Sequence, residues 1–135
     1  MFESLGLVVT DERPYRVTPR DAQPAWIYDF GLHTGVDVDA DAIRERFHEG
    51  FVRVWNGDAE LDGFNALIVA AGLDWREVTM LRSVARYLRQ AGIPFSDRYM
   101  EQTLLGHCGV AALFVKLFHA RFDPAGDRAA ANAFP

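Results

Sequence analysis

The sequence predicts an α+β fold that is mostly α: a short antiparallel three-stranded β-meander followed by a bundle of about five helices. Three observations predict it. Short β-branched and aromatic runs lie within the first 30 residues. From about Val38 to Phe122, apolar positions recur at three- and four-residue intervals. Glycine, with proline or a capping side chain, marks the joins between those periodic segments.

Phe2–Leu5 reads as the last turn of a helix closed by Gly6. Leu7–Thr10 is a first strand, Asp11–Pro14 a turn by composition, and Tyr15–Thr18 a second strand. After the polar loop Pro19–Pro24, Ala25–Phe30 sets Trp26, Tyr28 and Phe30 against Ile27 and Asp29 and gives a third. A sheet this small needs one face covered, because it cannot stand alone in water. Gly31–Gly35 is a linker.

The first long helix spans about Val38 to Trp55, with Ile43, Phe47, Phe51, Val54 and Trp55 on one face and Gly57 closing it. A second runs from about Glu60 to Ala71, with Leu61, Phe64, Leu67 and Ile68 inward. Gly72 ends it in the left-handed conformation open to glycine. Asp74 caps the third helix, and Glu77 completes a D-x-x-E capping box. Val78, Leu81, Ala85 and Leu88 share one face of that helix, while Arg82, Arg86 and Arg89 form a ridge on its flank. Gly92, Ile93 and Pro94 stop it. Ser96 caps a fourth helix carrying Tyr99, Met100, Thr103 and Leu104, broken at Gly106–Gly109. The fifth carries Val110, Leu113, Phe114, Leu117, Phe118, Arg121 and Phe122, a strong amphipathic pattern, and stops at Pro124. Ala125–Pro135 is small and alanine-rich, the composition of a flexible tail. The division that follows is 1–33 as a β region, 34–124 as a helical domain and 125–135 as a tail.

Composition narrows the function classes. The chain is one domain's worth at 135 residues, half of them hydrophobic, which argues against disorder. No apolar run reaches the roughly 20 residues of a membrane helix, and no signal peptide opens the chain. Cys108 is alone, so no internal disulfide forms, and the expected compartment is the reducing cytoplasm. A net charge of −5 argues against nucleic acid as a main partner. Lys116 is the only lysine among the basic residues.

The constellations that carry chemistry fail on spacing. Asp37, Asp39 and Asp41 begin like a calcium loop, but Ala42 stands where glycine is needed and His48 where glutamate is needed. Carboxylates beside the positive end of a helix account for them better. His33, His48, His107 and His119 never reach the spacing of a helical zinc pair, and Cys108 has no cysteine partner. His107 and Cys108 are adjacent, and adjacent side chains seldom face each other as a nucleophile pair must. Neither a G-x-G-x-x-G after a strand nor a G-x-x-x-x-G-K occurs. No catalytic, cofactor-binding or metal-ligating residue is therefore assigned. The candidate contact residues are Arg82, Arg86 and Arg89, for an anion or for a neighbouring domain or subunit. The alternative is an independent helical binding module, with Leu67, Ala71, Gly72, Leu73, Val78 and Leu81 at positions of a DNA-reading helix-turn-helix. Against it, Ile68 stands where that motif prefers a small residue, and the chain is acidic.

Long motifs carry a resemblance: L-G-L-V-V-T-D-E-R-P-Y-R-V, W-I-Y-D-F-G-L, D-G-F-N-A-L, L-D-W-R-E-V, R-S-V-A-R-Y-L-R-Q-A-G-I-P-F-S and L-F-H-A-R-F-D-P. Together they resemble a segment of the large bacterial NAD-dependent glutamate dehydrogenases, over roughly Phe2 to Pro124. The resemblance implies a non-catalytic piece joining an ACT-like regulatory module to a run of helical motifs, before the catalytic domain. It implies that residues 1–33 are the closing part of the ACT-like α/β unit, and that the parent oxidatively deaminates glutamate to 2-oxoglutarate with NAD. No cofactor falls in this chain, because the family's catalysis uses cleft lysines and Lys116 lies in no such motif. The implied partners are the remainder of the parent polypeptide and further subunits of a homo-oligomer, with no nucleic acid and no membrane. The implied role is to pass state between regulatory modules and catalytic core, or to hold subunits together.

Overall fold

The structure, a computed structural model, describes residues 1–123. The stop at Pro124 and the tail Ala125–Pro135 lie outside the described residues. The chain opens with a 3-10 turn, Glu3–Leu5, and continues into β1 (Leu7–Val17) and β2 (Ala25–Thr34). These are followed by α1 (Ala40–Trp55), a 3-10 turn at Gly63–Ala66 leading into the one-turn α2 (Leu67–Ala70), α3 (Trp75–Gln90), α4 (Asp97–Gly106) and α5 (Cys108–Phe122).

The sheet has two strands instead of three. Asp11–Pro14 does not turn. It runs on inside β1, where Asp11 pairs with Gly31 and Pro14 with Tyr28 in an antiparallel ribbon. A bulge between Val9 and Asp11 takes up the one irregularity. Each strand of a two-stranded ribbon keeps a free outer edge, so Pro14 is tolerated despite its missing N–H. The glycine opposite the bulge leaves room for the side chains of Thr10 and Asp11. A Cβ on Gly31 would stand 1.8 Å from Asp11 Oδ1 and 2.7 Å from Thr10 Oγ1. β2 continues through the expected linker as far as Thr34.

Helix ends follow local side chains. Asp39 accepts the Asp41 amide at 3.0 Å and starts α1. Asp74 accepts the Arg76 and Glu77 amides, both at 2.8 Å, while Glu77 Oε2 accepts the Asp74 amide at 2.8 Å, so the capping box is complete. Ser96 accepts the Tyr99 amide at 3.2 Å and starts α4. The second expected helix, Glu60–Ala71, is shorter and tighter than its periodicity implies. Asp62 caps a 3-10 turn there, and the Asn65 side chain donates to the Glu60 carbonyl at 2.7 Å, holding the entering chain against it.

The core gathers around the 3-10 turn at Gly63–Ala66. Leu5, Phe64, Leu67, Ile68, Val78, Leu81, Ala85, Met100, Ala111 and Val115 are buried together, with Phe47 and Phe51 of α1 packed partly against them. Each large apolar side chain so buried stabilises by about 1.5–3 kcal/mol. The first turn belongs to this core: Gly6 takes φ +80 and lies so close to Ala66 that an added Cβ would be 3.1 Å from its methyl. Four positions expected to face inward do not. Trp55 is 72 % exposed, Leu61 59 %, and Leu88 and Tyr99 also face solvent. On α5 the buried residues are the small Ala111 and Val115, whereas Val110, Leu113, Phe114, Phe118 and Phe122 are exposed.

Candidate functional site

The arginine ridge is held by α3, whose 3.6-residue turn puts Arg82, Arg86 and Arg89 on one flank. All three meet carboxylates of their own chain. Arg82 is buried, at 3 % exposure. Its Nε donates to Asp62 Oδ2 at 2.5 Å and its Nη2 to Asp62 Oδ1 at 2.9 Å, a two-pronged pair. Nη2 also donates to Asn65 Oδ1 at 2.8 Å. Arg86 reaches both oxygens of Glu60, with Nη1–Oε1 at 2.6 Å. Arg89 Nη1 donates to Asp97 Oδ2 at 2.5 Å. The ridge is thus a ladder of three ion pairs that fastens α3 to the segment before Phe64 and to the start of α4.

Electrostatics follow the ladder. The Arg86 hydrogen bond holds the Glu60 carboxyl below its ordinary range, and Glu60 in turn holds Arg86 above its own. Glu101, on α4 beside Asp62, is pushed up, first by burial and then by the negative charge of Asp62. The sequence marked the arginines by their spacing but not their acceptors. Asp62, Glu60 and Asn65 were visible only as residues of the same D-G-F-N neighbourhood, and Asp97 only as the residue after the Ser96 cap.

The remaining chemistry-bearing side chains are structural in their contacts. Cys108 Sγ donates to the Leu105 carbonyl at 3.1 Å, and His119 Nε2 lies 3.3 Å from Glu77 Oε1. Lys116 is exposed on α5. Among the described residues no group of three or more His, Cys, Asp or Glu is placed to hold a metal ion. The helix before Gly72 is only a 3-10 turn and one α turn, and Arg82, Arg86 and Arg89 of α3 are each paired with a carboxylate of this chain. Among the described residues no single helix is long and apolar enough to cross a membrane; α4 and α5 pass that test only as a pair bent by 100°.

Two apolar surfaces stand out. The β ribbon buries only Leu7 among its strand residues, and exposes Val8, Tyr15, Trp26, Ile27 and Tyr28, each at 50 % or more. The second is an open groove of about 830 Å³ between α3, α4 and α5, lined by Val84, Leu88, Phe95, Phe114, Phe118 and Phe122 among others.

Two family models match the chain. Residues 1–43 match the ACT3 domain of glutamate dehydrogenase, and residues 59–124 match its helical motif 3. The NAD-specific glutamate dehydrogenase of Halomonas elongata is 49 % identical over 127 residues, 93 % of this chain and 8 % of that protein. Those of Mycobacterium tuberculosis and Pseudomonas aeruginosa are each 40 % identical, over 98 % and 90 % of this chain and 9 % and 8 % of their own lengths. The chain belongs to the NAD-specific glutamate dehydrogenase family. It spans less than a tenth of the length of these relatives. Within the glutamate dehydrogenase segment, the ACT3 match covers the ribbon and the first residues of α1. The helical-motif match begins just before the Glu60–Asp62 anchors of the arginine ladder and takes in α2 to α5.

Proposed function

We propose that these residues are a non-catalytic connecting and contact segment of an NAD-dependent glutamate dehydrogenase, an enzyme that oxidatively deaminates L-glutamate to 2-oxoglutarate with NAD. The observation that carries the reading is the ribbon. A two-stranded hairpin is marginal alone in water, yet this one shows large apolar side chains on both faces. Trp26 and Tyr28 project from one face, and Ile27 from the other, directly across from Tyr15. Such a ribbon makes sense as one part of a larger sheet or sandwich completed by the remainder of the polypeptide or by another subunit. The helical part behind it is tied together by the ion-pair ladder, whose Arg82–Asp62 rung is buried. It is therefore suited to carry a displacement of the ribbon onward, and to hold subunits together.

The test is made in the full-length dehydrogenase that carries these residues. Trp26→Glu with Ile27→Glu places charge on both faces of the ribbon without touching the helical core. The expected result is a changed oligomer mass by light scattering, or a changed response of activity to amino-acid effectors. The 135-residue chain by itself is expected to form no NADH from glutamate and NAD. Unchanged assembly together with an unchanged effector response would overturn the reading, as would turnover by the short chain.

A further inference from the structure

The groove between α3, α4 and α5 has features that the ribbon does not. Helix α5 is apolar nearly all round. Ala111 and Val115 face the core at 0 % and 3 % exposure, yet Leu113, Phe114 and Phe122 on other faces are 53 %, 52 % and 66 % exposed. A helix with that pattern belongs in an interior, so a second element is missing from its outer side.

Charge tells what that element is. The chain carries 19 acidic residues against 14 basic ones, but among the described residues no carboxylate lines this groove or the shallower trough beside it on the outer side of α3. Among the described residues, the charged ones that line them are Arg121 in the groove and Arg76 in the trough. Unlike Arg82, Arg86 and Arg89, neither has a carboxylate partner among the described residues; Arg76 merely rests over the Trp75 ring at 5.2 Å.

Three classes of occupant are disfavoured. A small-molecule site needs a few convergent polar groups. Here the Thr103 hydroxyl already donates to the Tyr99 carbonyl at 2.8 Å, which leaves little to fix an orientation. A lipid surface is met by a convex, many-cation face, whereas this one is concave with two cations. A second copy of this chain offers no free acidic helix for it: α1 carries as many arginines as carboxylates, and its Phe47 and Phe51 are already packed against its own core.

We propose that the α3–α4–α5 groove seats an amphipathic α-helix with apolar residues on one stripe and Asp or Glu beside it, supplied by another part of the same polypeptide. The proposal rests on the connecting-segment reading, and it names the partner of one of its surfaces. The apolar stripe fills the space against Phe114, Phe118 and Val84, as a helix lies in a hydrophobic groove. The flanking carboxylates pair with Arg76 and Arg121 and set the orientation, because charge complementarity at a rim governs which partner is accepted.

The experiment uses the 135-residue chain and two helical peptides of about five turns each, one built of leucine and glutamate and the other of leucine and lysine, titrated by fluorescence anisotropy. The acidic peptide is expected to bind at least about tenfold more tightly than the basic one. The double variant Arg76→Glu, Arg121→Glu, with its fold checked by circular dichroism, is expected to reverse that preference. Leu113→Asp with Phe114→Asp, both at exposed positions, is expected to lose both peptides without loss of helix. Binding of neither peptide, or a preference for the basic one, overturns the proposal. So does a dimer of the chain that the Leu113→Asp, Phe114→Asp variant dissociates, since the groove would then be taken by a second copy. Binding only to vesicles of phosphatidylserine and phosphatidylcholine overturns it in favour of a lipid surface. The peptide preference and the ribbon experiment fail independently, because the first reads only the groove and the second only the ribbon.

Discussion

Arg82 and Asp62 form a two-pronged ion pair inside the helical domain, and the same aspartate caps the 3-10 turn through the Phe64 amide at 3.1 Å. One carboxylate therefore fixes both the start of the turn at the centre of the core and the position of α3. Removing one partner leaves the other charge unpaired in a place with little water. Arg82→Ala is expected to destabilise by about 3–5 kcal/mol, the range for breaking a buried pair. Arg82→Lys should recover only part of that, since an ammonium cannot grip both oxygens at once. Urea denaturation followed by circular dichroism measures both. A loss below about 1 kcal/mol for the alanine variant would show that the pair behaves as a solvated surface contact.

Glu101 gives a pH signature of the opposite kind. Its carboxyl is raised above the ordinary 4.5 by burial and by the Asp62 charge. A carboxyl raised by folding contributes stability while protonated, below its unfolded value, and that contribution is lost as pH rises through the folded value. At neutral pH the charged group therefore opposes folding. Glu101→Gln is expected to be more stable than the parent chain at about pH 7, by less than about 1 kcal/mol after solvent screening. The difference should vanish at about pH 4 and below. Thermal melts of both proteins across that range check the sign; a variant less stable at neutral pH would contradict it.

Two glycines separate conformational need from helix propensity. Gly6 has φ +80 and sits against Ala66, so Gly6→Ala meets both a left-handed backbone and a close methyl. A cost of about 1–3 kcal/mol is expected. Gly106 is helical with open space where a Cβ would go, and Gly106→Ala is expected to stabilise by up to about 1 kcal/mol. Denaturation midpoints of the two variants should move in opposite directions.

What could be read from the sequence was what nearby residues decide. The Asp74–Glu77 capping box and the Ser96 cap lie within three residues of the amides they bind, and α3 and α4 begin where these residues say. The motifs quoted for the family also needed no fold to be read. The strand count was hidden because D-E-R-P has turn composition, while the ribbon supplies that stretch with partners at Gly31, Phe30, Asp29 and Tyr28 across the hairpin. Helical spacing exposed the ridge of Arg82, Arg86 and Arg89 but not which arginine is buried. That depends on Asp62 and Asn65, 20 and 17 positions upstream. Periodicity marked the apolar stripe of α5 without saying that Ala111 and Val115 would take the core side and leave the large residues outside.

The ribbon meets the helices through one aromatic joint: Phe30 of β2 lies 5.0 Å from Phe2, and Phe2 stacks on Phe51 of α1 at 5.5 Å. At ten residues, β2 makes an arm of roughly 30 Å. The geometry is that of a long arm on a short pivot, so any force on the tip near Thr18–Pro24 acts on this joint with the leverage of the whole ribbon.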